Sequence, residues 1–290
     1  MQDFNNSVPV IVITGPTATG KTSLAVKMAK SLNGEIISAD SRQVYRGMDL
    51  GSGKDIEEYQ DVPYHLIDIA DPAVEVYNLG RFCRDAFNAI ADIRSRKKLP
   101  VICGGTALFI TALLDGYKLP GGALPPRDYS TPRIRQNPDA PPSFEPPFAL
   151  NPLIIGILFP RKEVRSRIEL RLDARFDRGM VEEVRKLHDE HNVSYQSMEY
   201  FGLEYREIAN YLQNRCSFAE MRQQLLNKIR QFAKRQDIFF RKMEREGHRI
   251  YWCEGGKNPD PLALAARFLA GEQLPEPEFK LCEKLNPPSY

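Results

Sequence analysis

The chain of 290 residues is long enough to bury one substantial core with a smaller region attached. Forty Lys and Arg stand against 38 Asp and Glu, so bulk charge does not mark a nucleic-acid binder and only a local concentration could. Five scattered cysteines with no Cys-x-x-Cys pair argue against a disulfide frame or zinc site. With no basic-then-apolar leader and only strand-sized apolar runs, a soluble, cytoplasmic protein without membrane association is expected.

Residues 8–14, a β-branched run, predict a buried strand, and 23–32 predict a helix. Between them, Gly15-Pro16-Thr17-Ala18-Thr19-Gly20-Lys21-Thr22 fills every position of the G-x-x-x-x-G-K-S/T phosphate-binding pattern. Glycines at 15 and 20 let successive backbone N–H groups and the helix N-terminus point at one anion. Lys21 adds a mobile positive charge, and the Thr22 hydroxyl is placed to ligate Mg²⁺. These eight residues are the candidate diphosphate- or nucleotide-binding set. Residues 35–38 predict a second strand, followed by Asp40-Ser41-Arg42-Gln43-Val44-Tyr45. In a parallel sheet that strand end lies beside the phosphate loop. Asp40 there suits a general base or a metal-organising group, and equally an N-cap or turn residue.

Residues 65–69 predict a third strand, 81–96 a helix, 100–103 a strand and 106–114 a short helix. Gly104-Gly105-Thr106, at the last of these junctions, fits either a second anion contact or a tight turn. The alternation across 1–116 predicts an α/β fold, a P-loop NTPase-like parallel sheet flanked by helices, with binding loops at the strand C-terminal ends. Residues 120–152 break it with ten of the 22 prolines, so 117–152 reads as an extended connector. A returning strand is expected at 153–159, then helices over 163–176, 179–191, 204–212 and 218–246. This helical C-terminal half runs to 258, and 259–290 forms a tail. Arg167 and Arg171 share one helix face, which suits a cleft lid or a solvated basic face. Between 222 and 249, nine Lys and Arg stand against three Asp and Glu, a concentration suited to an RNA backbone or to a solvated helix.

Together these segments resemble the bacterial tRNA dimethylallyltransferases, also called tRNA isopentenyltransferases. The loop 15–22, Asp40 to Tyr45, His65-Leu66-Ile67-Asp68-Ile69 and Gly104-Gly105-Thr106 carry the likeness, joined by Arg167 to Arg171, Gly179-Met180-Val181-Glu182-Glu183-Val184 and Arg230-Gln231-Phe232-Ala233-Lys234-Arg235-Gln236. The match covers about residues 8–116 and 153–252 in the family's order. It implies transfer of a dimethylallyl group from dimethylallyl diphosphate to N6 of the adenine beside the anticodon, position 37, of tRNA. It further implies Asp40 as general base, Lys21 and Arg171 as catalytic groups on the diphosphate, and Mg²⁺ held at Thr22. Asp40, Ser41, Arg42, Gln43, Thr106, Arg230, Gln231, Lys234 and Arg235 are then the RNA contacts, in a protein expected to act as a monomer. One departure stands out: the family's helical insertion, with its His-Pro-Asn-Asp-x-x-Arg-like motif, is replaced here by the short proline-rich connector. Three other readings remain beside this one. They are prenylation of free adenine nucleotides, an ATP-using nucleotide kinase with Asp68 organising a metal, and a non-catalytic RNA-binding relative.

Overall fold

The structure, a computed structural model, describes residues 7–116 and 146–283. Strand β1 (Val8–Thr14) leads into α1 (Lys21–Ser31) and β2 (Gly34–Ser38). A 3₁₀ turn (Ile56–Tyr59) and β3 (Tyr64–His65) follow, then α2 (Leu79–Ser95), β4 (Leu99–Cys103) and α3 (Ala107–Asp115). After the segment outside the described residues come β5 (Leu150–Leu158), α4 (Arg161–Asp177), α5 (Met180–Asp189), α6 (Tyr195–Met198) and α7 (Leu203–Leu212). The long α8 (Phe218–Arg245), β6 (Ile250–Glu254) and α9 (Pro261–Leu269) complete the order.

The six strands form one parallel sheet in the order β3-β2-β4-β1-β5-β6. Alternation along β1 sets its two faces. Val10 and Val12 pack with Phe82, Ile110 and Phe240 on one side, and Ile11 and Ile13 with Ala25, Met28 and Ala265 on the other. Because both faces are covered, the strands read as continuous apolar runs. β1 and β4 are sheet neighbours and β2 adjoins β4, so the loops after β1, β2 and β4 gather at one end of the sheet.

Three expectations need correction. The predicted third strand at 65–69 is only Tyr64–His65, because the chain turns at once through positive φ at Leu66 and Asp68. The returning strand begins at Leu150 and runs through Pro152. That proline faces β1 at Val10, while β6 pairs only from Ile154 onward, so its missing N–H costs no ladder bond on the far side. The expected tail contains α9, and Leu281 beyond it is fully buried. The rest of the proline-rich connector, up to residue 145, lies outside the described residues.

Candidate active site

The phosphate loop connects β1 to α1, and its shape follows from sterics. Gly15 sits at φ +147°, where a Cβ would lie 2.7 Å from the Ile157 carbonyl oxygen. Ala18 is held left-handed at φ 62°, an uncommon conformation that the loop maintains at some energetic cost. Inside the loop, the buried Thr19 hydroxyl donates to the Pro16 carbonyl at 2.9 Å, and Lys21 Nζ donates to the same oxygen at 2.7 Å. Burial lowers the Lys21 ammonium to about 8, with the positive charge of Arg171 acting in the same direction. Lys21 is thus a cation that the surrounding protein groups serve poorly.

Two distant helices hold the loop in place. On α8, Gln236 is buried; its Oε1 accepts from the Thr17 N–H at 2.9 Å and its Nε2 donates to the Gly105 carbonyl at 2.9 Å. This one side chain ties the loop after β1 to the loop after β4. From α4, the Arg171 guanidinium donates to the Thr17 hydroxyl. Gly104 allows the other approach: a Cβ there would lie 2.3 Å from the Ala39 carbonyl oxygen, so the β4 loop can press against the segment that carries Asp40.

Asp40 follows β2. Its Oδ1 accepts from the Arg42 N–H at 3.0 Å and lies 3.7 Å from Arg42 Nε, while no hydrogen bond to Oδ2 is recorded among the described residues. Arg42 is largely buried. Although burial favours its neutral form, Glu204 at 2.7 Å and Asp40 raise its pKa and keep it charged. Ser41 N–H donates to the Thr106 hydroxyl at 3.3 Å, and Gln43 bridges the Ser38 hydroxyl to the Gly53 carbonyl. These contacts surround one cavity of about 500 Å³, which Thr17 to Thr22, Asp40, Arg42, Gln43, Gly104, Gly105 and Arg171 all line. The structure therefore brings the predicted phosphate loop, Asp40 and Arg171 to one place.

The basic helix divides. Arg230 donates to Glu169 at 2.8 Å, Arg222 forks onto Asp173 at 2.8 Å through two nitrogens, and Lys228 pairs with Glu207 at 2.7 Å. Those three cations are engaged by carboxylates of neighbouring helices. Gln231, Lys234 and Arg235 are exposed, and no ion pair to Lys234 or Arg235 is recorded among the described residues. Sequence reasoning passed over Gln236 as a site residue because an uncharged glutamine carries no signal beyond its place in the Arg-Gln-Phe-Ala-Lys-Arg-Gln string. It also missed Glu183, whose carboxylate accepts from the N–H groups of Asp49, Leu50 and Gly51 and from the Tyr205 hydroxyl, at 2.6–3.0 Å. That carboxylate pins the loop bordering the cavity.

A parallel sheet with a glycine-framed loop between β1 and α1, facing a carboxylate after β2, defines a P-loop-like α/β protein. Family models sharpen this: IPP transferase matches residues 43–143 and 130–243, and isopentenyl transferase matches 8–62. The chain is 43% identical to tRNA dimethylallyltransferase 1 of Geotalea uraniireducens, over 93% of this chain and 99% of that one. It is 40% identical to tRNA dimethylallyltransferase 2 of Shewanella sediminis, over 88% and 95%. The crystal structure of the tRNA isopentenylpyrophosphate transferase of Bacillus halodurans superposes with a TM-score of 0.73 at 30% identity, covering 91% of this chain and 96% of that one. A eukaryotic dimethylallyltransferase acting on tRNA shares the fold, with a TM-score of 0.75 at 20% identity over 93% and 81%. The chain belongs to the tRNA dimethylallyltransferase family.

Proposed function

We propose that the protein transfers the dimethylallyl group of dimethylallyl diphosphate to N6 of the adenine beside the anticodon, position 37, in tRNA and releases diphosphate. The observation that carries this reading is that one cavity joins the loop 15–22 to the carboxylate of Asp40, whose Oδ2 has no hydrogen bond among the described residues. The diphosphate leaves as an anion. The loop N–H groups, Lys21 and Arg171 bind it and offset the charge that grows on it as the allylic C–O bond breaks. Diphosphate binding also supplies a counter-charge to Lys21, whose ammonium is held below its usual pKa by burial. Asp40 takes the proton from the exocyclic amine as N6 attacks the allylic carbon. The target base must leave its stack to reach such a cavity.

Mg²⁺ fits the donor set. Thr22 lines the cavity at the first turn of α1, and among the described residues no group of three His, Cys, Asp or Glu side chains is placed to hold a metal alone. The Thr22 hydroxyl would hold such an ion, which would supply further neutralisation of the leaving group. Burial pushes the Cys103 thiol, also in the cavity wall, up to about 12. A neutral thiol is a poor nucleophile, so Cys103 does not compete with N6 for the allylic carbon. Lys234, Arg235 and Gln231 present the exposed surface for the RNA, with Ser41, Arg42, Gln43 and Thr106 at the cavity edge, in a protein acting as a monomer.

The reading is tested by Asp40→Asn, which keeps the shape and removes the base. Single-turnover transfer to tRNA should slow by about 10²–10⁴-fold with dimethylallyl diphosphate affinity little changed. Near-normal turnover in that variant would remove Asp40 from the chemistry.

A further inference from the structure

Arg175 lies one helical turn beyond Arg171 on α4 and lines the same cavity. It is 5% exposed, and a guanidinium so deeply placed needs partners for its five N–H donors. Its recorded partner is Asp55, which accepts from Nη2 at 3.2 Å and is shared with Arg178 at 3.6 Å. The Nε of Arg175 is buried with no hydrogen-bond partner among the described residues. Burial and the neighbouring charge of Arg175 together lower the pKa of Arg171 to about 10. Asp55 is divided between Arg175 and the exposed Arg178, and Glu58 is the other carboxylate of this wall, so the adjacent guanidiniums of Arg171 and Arg175 leave Nε of Arg175 unserved, a cost that an anion between them relieves. The backbone opposite is shaped to admit the fork. Gly53 has φ +75°, a Cβ there would sit 2.5 Å from Arg175 Nη2, and Gln43 holds the Gly53 carbonyl at 3.0 Å.

We infer that Arg175 and Arg171 together bind a phosphate oxyanion in the wing of the cavity bordered by Gly53 and Asp55, in addition to the anion held by the loop 15–22. Resting on the prenyl-transfer reading, that oxyanion has two sources: the diphosphate of dimethylallyl diphosphate, or a backbone phosphate of the RNA. A bidentate guanidinium suits either.

The test reads binding, so it does not depend on turnover. Dissociation constants for inorganic diphosphate, dimethylallyl diphosphate and unmodified tRNA are measured with the full chain, Arg175→Met and Arg175→Lys. Affinity for at least one ligand should fall about 10- to 100-fold in Arg175→Met, the range of one charged hydrogen bond or two, with Arg175→Lys between. A loss confined to the two diphosphates assigns the fork to the prenyl donor. A loss confined to tRNA, with the log–log salt slope smaller by about one, assigns it to the RNA. If all three affinities are unchanged in both variants, the inference fails and Arg175 only braces Asp55. Should Arg175→Met not fold, the milder Arg175→Lys decides by the same readings. A wild type that binds diphosphate or tRNA but transfers no prenyl group would sink the functional reading and leave the Arg175 result standing.

Discussion

At the scale of single residues, the cavity is organised around cations that the protein's own groups serve poorly. Lys21 shows this most directly, since its pKa near 8 lies well below that of an exposed lysine. The sign of the consequence follows from linkage. The unfolded chain keeps this proton up to about pH 10.5, whereas the folded protein gives it up near 8, so the charged lysine destabilises the fold below 8. That penalty is relieved as pH rises from 8 to 10.5. Diphosphate needs the charged form and therefore draws a proton onto Lys21 when it binds above pH 8. The dissociation constant for inorganic diphosphate should then rise by up to about tenfold per pH unit above 8 in the wild type. The rise should be smaller in Lys21→Arg, whose charge does not titrate in this range. Calorimetric titrations at pH 7, 8 and 9 read the difference, and parallel profiles for the two proteins would contradict the assignment.

At the scale of elements, α8 carries more of the site than its basic face announces. Gln236 on this helix clamps two loops, and the next residue, Asp237, has a buried Oδ1 without a hydrogen-bond partner. Burial raises the Asp237 carboxyl to about 7, against the pull of Arg241 and Arg161. A carboxyl raised in the folded state loses stability for the fold as pH climbs from the unfolded value near 3.8 to about 7. Asp237→Asn should therefore melt a few degrees above the wild type at pH 8, with the gap closing toward pH 4, as a thermal melt at each pH would show. An equal gap at both pH values would contradict the burial argument. The central elements were legible because local chemistry dictates them: β1, the glycine-framed loop and α1 announce one another in sequence. Strand β6 was not, because Ile250 to Glu254 is a short apolar run directly after a long helix, and only its pairing with β5 makes it a strand. Helix α9 did carry a start signal, since Asp260 caps it and Pro261 opens it, but the surrounding prolines and glycines masked that signal. The pairing of Arg230 with Glu169 was invisible for another reason: it joins helices 61 residues apart, and no spacing rule reaches across a fold.

At the scale of the whole molecule, a nearly neutral chain sets a local excess of cations beside a polar cavity, and the structure sorts that excess into two kinds. Cations spent on internal carboxylates release no counterions when RNA binds, whereas exposed ones do. Lys234→Ala and Arg235→Ala should each reduce the log–log salt slope of tRNA binding by about one, while Arg230→Ala should leave it near the wild-type value. Filter binding at four salt concentrations separates these outcomes, and an equal effect of all three substitutions would refute the division. No helix among the described residues is long and apolar enough to cross a membrane. Prenyl transfer is read most directly by following labelled dimethylallyl diphosphate with Mg²⁺ and purified protein. The assay offers either unmodified tRNA or a mixture of AMP, ADP and ATP as acceptor. Label should appear in tRNA, at the adenine beside the anticodon, and be lost in Asp40→Asn. Label in the free nucleotides alone, or in neither acceptor, would contradict the proposed transfer.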